Sequence, residues 1–317
     1  MRMIVTGSTG FIGKRLVERL LEEGHEVACT VRAASDTAFL EKAGVTLVNC
    51  DITDAGAVLE AFARNRPEAV FHCAASVMEK DESRLFRTNV TGTRNICEAC
   101  LRGDVERLIY LSSVAVVSGN REAPLTDDMP CRANNAYGQS KLEAERIVAE
   151  YREKGLKAVM IRPCMIYGEE EPHALGRILK LASSRRIPVL DVPAMDSKLQ
   201  LGYVGNVVQA LILALKNDAA LQGTFIVADE EAITLRKFVE LIYDELGKGY
   251  PPVIPAWVVR ILAAVPYLRK KIESIGKDRA YDISRSREIL GYAPSVPTEE
   301  ALRRTVRHWK ERKGSGS

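Results

Sequence analysis

The alternation of two periodicities most constrains what this chain can fold into. Six short runs rich in β-branched and aliphatic residues, "MIVTG", "HEVACTVR", "VTLVNCD", "EAVFHCAA", "ERLIYLSS" and "KAVMIRP", are spaced along the first half. Helix-period segments lie among them at 11–23, 55–65, 83–102 and 136–153. Strand and helix in such regular succession argue for βαβ units, whose strands form a parallel sheet buried on both faces. After residue 167 the rhythm breaks: one isolated strand, "TFIVA" at 224–228, stands among helices at 206–216, 234–246 and 298–312 and clustered prolines. The expected class is α/β, a doubly wound parallel sheet followed by a smaller, mixed α/β part.

The first strand leads straight into "VTGSTGFIGKRLV", with Gly7, Gly10 and Gly13 ahead of an amphipathic helix. Glycines there let the backbone turn tightly and approach a pyrophosphate, while the helix N-terminus aims free N–H groups and a partial positive charge at it. Gly7, Ser8, Thr9, Gly10, Phe11, Ile12 and Gly13 are therefore the expected dinucleotide loop of a Rossmann-type domain. An acidic residue ending the second strand would bind the adenosine ribose 2′-hydroxyl, but that strand ends "CTVR", with Arg32. A guanidinium suits a 2′-phosphate, and Ser8, Thr9 and Lys14 can add contacts, so NADP(H) is favoured and NAD(H) stays open. Asp51, ending the third strand, is placed either to touch adenine or to cap the helix that starts near residue 55. We expect residues 1–167 with roughly 199–228 to form the NAD(P)-binding domain. Roughly 168–198 with 229–312 would form the substrate-binding domain, and 313–317 a tail or tag.

Composition narrows the partners. The 317 residues carry a net charge of +3 without a long basic tract outside the C-terminal end, so nothing calls for a nucleic acid. Seven irregularly spaced cysteines fit a reducing compartment, and Cys97 with Cys100 has no second pair with which to build a zinc site; no metal is expected. With the first strand beginning at Met3 and no apolar run of about 20 residues, neither a signal peptide nor an integral membrane segment is expected. The expected location is cytoplasmic.

Taken together and in order, "GSTGFIG", "HCAA", "TNVTGTRN", "LSSVAV", "YGQSK" and "RPCMIYG" resemble the extended short-chain dehydrogenase/reductase family, of NAD-dependent epimerase/dehydratase type, over nearly the whole chain. The resemblance implies a catalytic set of Tyr137, Lys141 and a hydroxyl partner, Ser113, with Ser112 as the alternative. It implies further cofactor contacts from Ile52, Ala74, Ala75, Asn89, Ser112 and Lys141. "RPCMIYG" would run beneath a nicotinamide with Pro163, Cys164 and Ile166, the thiol serving as a small apolar spacer. Similar proteins pair segments matching 83–102 and 136–153 in a four-helix interface, which implies a homodimer.

Chemically, reducing a ketone by hydride needs a proton for the developing alkoxide, and oxidising an alcohol needs that proton removed. A tyrosine serves both directions if its pKa of ~10 is brought toward neutrality, and i, i+4 spacing sets Lys141 beside Tyr137 for that purpose. A second such spacing, Tyr267 and Lys271, lacks every one of these neighbours. Sugar dehydratases similar to this chain carry an acidic pair after the catalytic hydroxyl, where Val114 and Ala115 stand here, and 3,5-epimerising reductases carry a cysteine at Val114. Ketone/alcohol redox on a small, hydrophobic molecule remains (steroid, β-keto acid or flavonoid-like). The alternative is a nucleotide-sugar 4-epimerase with retained NAD, and an intact Tyr/Lys pair disfavours a non-catalytic NADP sensor. "LGYVGNVVQALILA", 201–214, is closest to 3β-hydroxysteroid dehydrogenase and dihydroflavonol reductase-like members, and epimerases more often carry aspartate at Asn206. Glu169, Glu170, Glu171 and His173 read as an exposed turn, with substrate contact as the alternative. The apolar run 253–272 reads first as a core helix and second as a wall, lid or site of peripheral lipid contact.

Overall fold

A computed structural model describes residues 1–171, 174–184, 189–249, 251–267, 269 and 277–314. Strands β1 (Arg2–Thr6), β2 (Glu26–Val31), β3 (Thr46–Asn49), β4 (Ala69–His72), β5 (Arg107–Leu111), β6 (Ala158–Pro163) and β7 (Thr224–Val227) form one sheet in the order β7-β6-β5-β4-β1-β2-β3. Every pair is parallel, with Val5 opposite Phe71 on one side and Cys29 on the other. The chain order therefore reverses between β1 and β4. That reversal opens a crevice at the strand C-termini, where ligands bind in such sheets.

Because successive strand residues point to opposite faces, β1 feeds two cores at once. Met3 and Val5 join Phe71, Ile109 and Cys29 beneath α1 (Phe11–Glu22) and α6 (Val204–Lys216), which supply Leu16, Leu20, Val207 and Leu211. Ile4 joins Val70, Leu108 and Tyr110 under α2 (Ala55–Asn65), α3 (Gly92–Arg102) and α4 (Ala136–Glu153), which contribute Phe62, Ile96, Cys97, Cys100, Ala144 and Val148. Cys97 and Cys100 are thus core residues, and among the described residues no cluster could hold a metal.

The segment expected as one helix over 83–102 is compound. It starts as Glu82–Phe86, capped by Asp81, passes through a π-helical stretch, Arg87–Thr91, and continues as α3. Such wide turns insert an extra residue and often mark functional positions. Asn89 lies inside it.

A third core lies beyond the sheet, among Tyr167, Tyr203, α5 (Ala174–Ser184), α7 (Leu235–Glu245) and α9 (Thr298–Gly314). The core-helix reading of 253–272 fails for its described residues. Its helix α8 (Ala256–Leu262) buries only Val259 and leaves Trp257 and Ile261 exposed. Lys271 and His173 lie outside the described residues. Among the described residues, no helix is long and apolar enough to cross a membrane.

Candidate active site

The glycine loop after β1 is shaped by two close approaches. Gly7 has φ +70°, and a Cβ there would sit 2.6 Å from the Ala74 amide nitrogen; at Gly13 it would sit 2.1 Å from the Gly7 carbonyl oxygen. The first lets the loop press against the end of β4, and the second lets α1 begin directly over the loop. Gly10, the N-cap of α1, has no side chain to satisfy the first-turn N–H groups, and that turn contains no acidic residue. Phe11 and Ile12 send their side chains into the third core, so their backbones are what they offer at this end.

A cleft of about 520 Å³ runs from Gly7, Thr9 and Gly10 along Arg32, Asp51, Ile52, Ala74 and Ala75. Of the expected loop residues Gly7, Thr9 and Gly10 are thereby brought to one crevice with the strand-end residues, while Ser8, Phe11, Ile12 and Gly13 do not line it. Ser8 is fully buried and its hydroxyl donates to the Thr30 carbonyl (3.3 Å), tying the loop to β2 rather than facing a phosphate. Ser35 faces the cleft instead, accepting from the Arg32 amide at 3.1 Å. Asp51 does not cap α2, because Asp54 does so through the Ala57 amide. The Asp51 carboxylate accepts from the Thr53 amide at 2.8 Å, and that bond, with Arg32 and Arg87 nearby, holds its pKa below the usual range. Arg84 and Arg87 also line the cleft. Sequence spacing gave no sign of them, since a helix expected over 83–102, more than five turns, can present any face.

At the end of β5 the two serines part. Ser112 is buried and donates to Glu145 Oε1 at 2.5 Å, and its amide donates to the Ile161 carbonyl at 2.7 Å, so its hydroxyl serves the interior and only its carbonyl is left for a cofactor. Ser113 caps a short 3₁₀ turn, accepting from the Ala115 amide at 3.1 Å, and its hydroxyl lies near enough to the Tyr137 phenol to pull the phenol's pKa down. Of the two alternatives, Ser113 is the one brought to Tyr137. Asn135 caps α4 through the Gly138 amide, placing Tyr137 and Lys141 on its first turns.

Lys141 is 1% exposed. Its ammonium donates to the Leu111 carbonyl at 2.7 Å and stands 4.3 Å from the Tyr110 ring centroid. Burial brings its pKa down to about 7, with the Glu145 carboxylate, one turn further along α4, and Cys73 working the other way. Burial raises the Tyr137 phenol above its ordinary value, opposed by the nearby Ser113 hydroxyl. The lowering of the tyrosine expected from sequence is therefore not seen, because desolvation outweighs the nearby Ser113 hydroxyl.

Behind these groups is a buried ion pair absent from the sequence reading. Arg162 of β6 grips Glu145 with two bonds, Nε to Oε1 at 2.8 Å and Nη2 to Oε2 at 2.7 Å, with both side chains 6% exposed. The same oxygen that accepts from Arg162 Nε accepts from Ser112. On the other side, Asn89 is 1% exposed, bonds both the amide and carbonyl of Ser76 (2.7 and 2.9 Å), and donates to Ser140 of α4 at 2.9 Å. A chain of bonds, Thr6 to His72 (2.7 Å) to Thr93 (3.0 Å) to the Asn89 carbonyl (2.6 Å), links this brace to β1. Burial holds His72 down at about 3, so the ring is neutral. Asn89 fits the bracing role.

Beyond β6, the Cys164 amide donates to Val227 at 3.1 Å, its thiol is buried, and Ile166 pairs with Gly202. The buried thiol, pushed well above its ordinary pKa, fits an apolar spacer. Asn206 faces inward, donating to Asp229 (2.8 Å) and the Val296 carbonyl (2.9 Å) and accepting from the Ser295 and Val296 amides. It brackets α6 to the chain before α9 and says nothing about a substrate. Glu169 accepts from the Tyr203 hydroxyl, Glu171 caps α5 through the Leu175 amide (2.8 Å), and Glu170 has φ +69°. These three build a turn.

Residues 3–228 match the model of the NAD dependent epimerase/dehydratase family. The chain belongs to that family. It is 30% identical, over 95% of its length and 88% of the relative's, to a 3 beta-hydroxysteroid dehydrogenase/Delta 5-->4-isomerase of Mycobacterium tuberculosis. It is 28% identical to a 2-alkyl-3-oxoalkanoate reductase of Shewanella oneidensis, over 95% and 84% of the two chains. The crystal structure of the Thermus thermophilus UDP-glucose 4-epimerase complex with NAD superposes with a TM-score of 0.79 at 28% identity, covering 98% of this chain and 99% of that one. Family and relatives are nicotinamide-dependent oxidoreductases and epimerases, and the crevice described above fits such a dinucleotide: a loop closed to any Cβ, an uncapped helix start, and a cleft lined with both cations and a carboxylate.

Proposed function

We propose that this family member is an NADP(H)-dependent oxidoreductase that interconverts a ketone and a secondary alcohol on a small, hydrophobic molecule. The observation that carries the reading is the convergence of the Ser113 hydroxyl, the Tyr137 phenol and the buried Lys141 on the first turns of α4 and the end of β5, at the same strand ends as the glycine loop.

Gly7, Thr9, Gly10 and the first-turn amides of α1 would hold the pyrophosphate; Arg32 and Ser35 the adenosine ribose phosphate; Asp51 and Ile52 the adenine; Ala74, Ala75, Pro163 and Ile166 the dinucleotide's remaining length. When bound, the nicotinamide supplies or accepts the hydride. Tyr137 gives its phenolic proton to the substrate oxygen during reduction and takes it back during oxidation. Its raised pKa keeps that proton in place until the alkoxide develops. Ser113 holds the same oxygen by a hydrogen bond. Lys141 has donors to spare beyond the Leu111 carbonyl and orients the cofactor's ribose. The Asn89 and Glu145–Arg162 braces position α4, and with it both side chains. The steroid dehydrogenase and oxoalkanoate reductase relatives favour an apolar substrate such as a steroid or β-keto acid.

Likeness to a UDP-glucose 4-epimerase favours a second reading, a nucleotide-sugar 4-epimerase with retained NAD. Oxidation of NADPH and NADH over a panel of steroid, β-keto acid and cyclic ketones separates them. Net NADPH turnover, lowered roughly 10²- to 10⁴-fold in Tyr137→Phe with cofactor still bound, is the expected result. NAD surviving purification, with no net turnover on any ketone, would replace the first reading by the second.

A further inference from the structure

Of the twelve exposed large hydrophobic side chains among the described residues, six lie within 253–267: Val253, Trp257, Ile261, Leu262, Val265 and Tyr267. Clustering at this density separates the segment from the scattered apolar exposure any surface shows. Trp257, Ile261 and Val265 follow one another at four-residue intervals. The turn bonds from Ala264 to Ile261 and from Val265 to Leu262 carry the helical path of α8 past its end. The three form one ridge, with Trp257 65% and Ile261 63% exposed, while Val259 on the opposite side anchors the helix.

Charge singles out the same segment. Between Glu245 and Glu273 the sequence contains no acidic residue, yet it contains Arg260 and the run Arg269, Lys270, Lys271. Elsewhere acids and bases nearly balance, the whole chain summing to +3. An apolar ridge bearing a tryptophan, in a stretch of sequence rich in cations and without an acid, has the chemistry of a helix lying in the headgroup region of a membrane. There the ridge enters the acyl boundary, the indole sits at the interface and the cations meet anionic headgroups. α8 is far too short to span a bilayer, so the contact is in the plane.

We propose that the α8 ridge docks this protein on an anionic lipid surface. A second copy of the chain fits less well, since two segments each carrying a surplus of cations and no acid would repel one another.

The test uses the full chain with vesicles of phosphatidylcholine and phosphatidylserine at a ratio of about 3:1, against pure phosphatidylcholine, in a Trp309→Phe background that leaves Trp257 as the only indole. Cosedimentation with the anionic vesicles, accompanied by a blue shift of Trp257 emission and weakened by high salt, is expected. Trp257→Ser with Ile261→Ser should lower the partition coefficient at least tenfold, and Arg260→Glu should weaken the preference for phosphatidylserine. Both changes are at exposed positions, and unaltered circular dichroism melting would show that they fold. Absence of binding to anionic vesicles overturns the proposal, as does equal binding by the Ser/Ser variant. So does a concentration-dependent dimer, abolished by Trp257→Ser, in a protein that ignores vesicles.

Discussion

Replacing Lys141 by Met probes the electrostatics of the site with no ligand present. The lysine is buried against the Leu111 carbonyl and the Tyr110 ring, and its pKa lies at about 7. In the unfolded chain the same group titrates near ~10.4. Between these values the unfolded state binds the extra proton, so this lysine's contribution makes stability rise with pH across that window. Below about pH 7 both states are protonated, and the cost of burying the charge is constant. Integrating the linkage relation from about pH 6 to about pH 8.5 gives a gain of ~2 kcal/mol, with a slope approaching ~1.4 kcal/mol per pH unit. Methionine fills a similar volume and does not titrate. The buried cysteines, whose own linkage runs the opposite way above their ordinary pKa, are common to both proteins and cancel in the difference. Urea unfolding of the two proteins in parallel across that range is the assay. The stability of Lys141→Met relative to wild type should fall by ~2 kcal/mol from the acid to the alkaline end. A difference constant to within about 0.5 kcal/mol, the usual additivity error, would mean that Lys141 keeps an ordinary ammonium in the folded protein and would refute the reasoning.

Glu145→Gln leaves the Arg162 guanidinium buried without its carboxylate and should cost ~3–5 kcal/mol, roughly 6 °C in thermal midpoint for a chain of this length. Glu145→Leu combined with Arg162→Met should recover most of that loss by calorimetry, and a Gln variant melting like wild type would dismiss the pair as a support of α4. Gly13→Ala forces a Cβ to within 2.1 Å of the Gly7 oxygen, so calorimetric titration with NADP should show affinity lowered at least tenfold; unchanged affinity would mean that the loop does not hold the pyrophosphate. Arg32→Glu should lower NADPH affinity by about tenfold or more while sparing NADH, as read by nicotinamide fluorescence, because a carboxylate repels the 2′-phosphate and suits the free hydroxyl. Equal losses for both cofactors would remove Arg32 from the choice between them.

The sheet was legible because its strands are short, β-branched and buried on both faces. Each of the six runs in the first half becomes a strand, and α2 and α4 occupy the residues their periodicity marked. What periodicity cannot carry is where a polar side chain turns once the elements are packed. Ser112 and Ser113 are adjacent and chemically identical, and only the buried Glu145–Arg162 pair, formed by residues 17 apart in sequence, draws one inward and leaves the other at Tyr137. Asn206 suggested a substrate preference by its identity, whereas its four hydrogen bonds all hold backbone and Asp229. The 253–267 segment misled differently: apolar composition reads as burial, and α8 is too short and too lightly covered to supply it.

The π-helical stretch at Arg87–Thr91 acts as a phase shifter. In a regular helix each residue advances about 100° around the axis, so one extra residue rotates everything upstream by that angle relative to everything downstream. That rotation allows a single continuous segment to turn Asn89 toward Ser76 and Ser140 while Ile96, Cys97 and Cys100 stay in the core. Loss of one codon within 87–91 would leave a helix just as hydrophobic and easier to form, but Arg84 would swing around the barrel of the helix away from the cleft. The site is thus tuned by the length of this segment as well as by its residues, and a length change here is a mutation that no substitution scan would find.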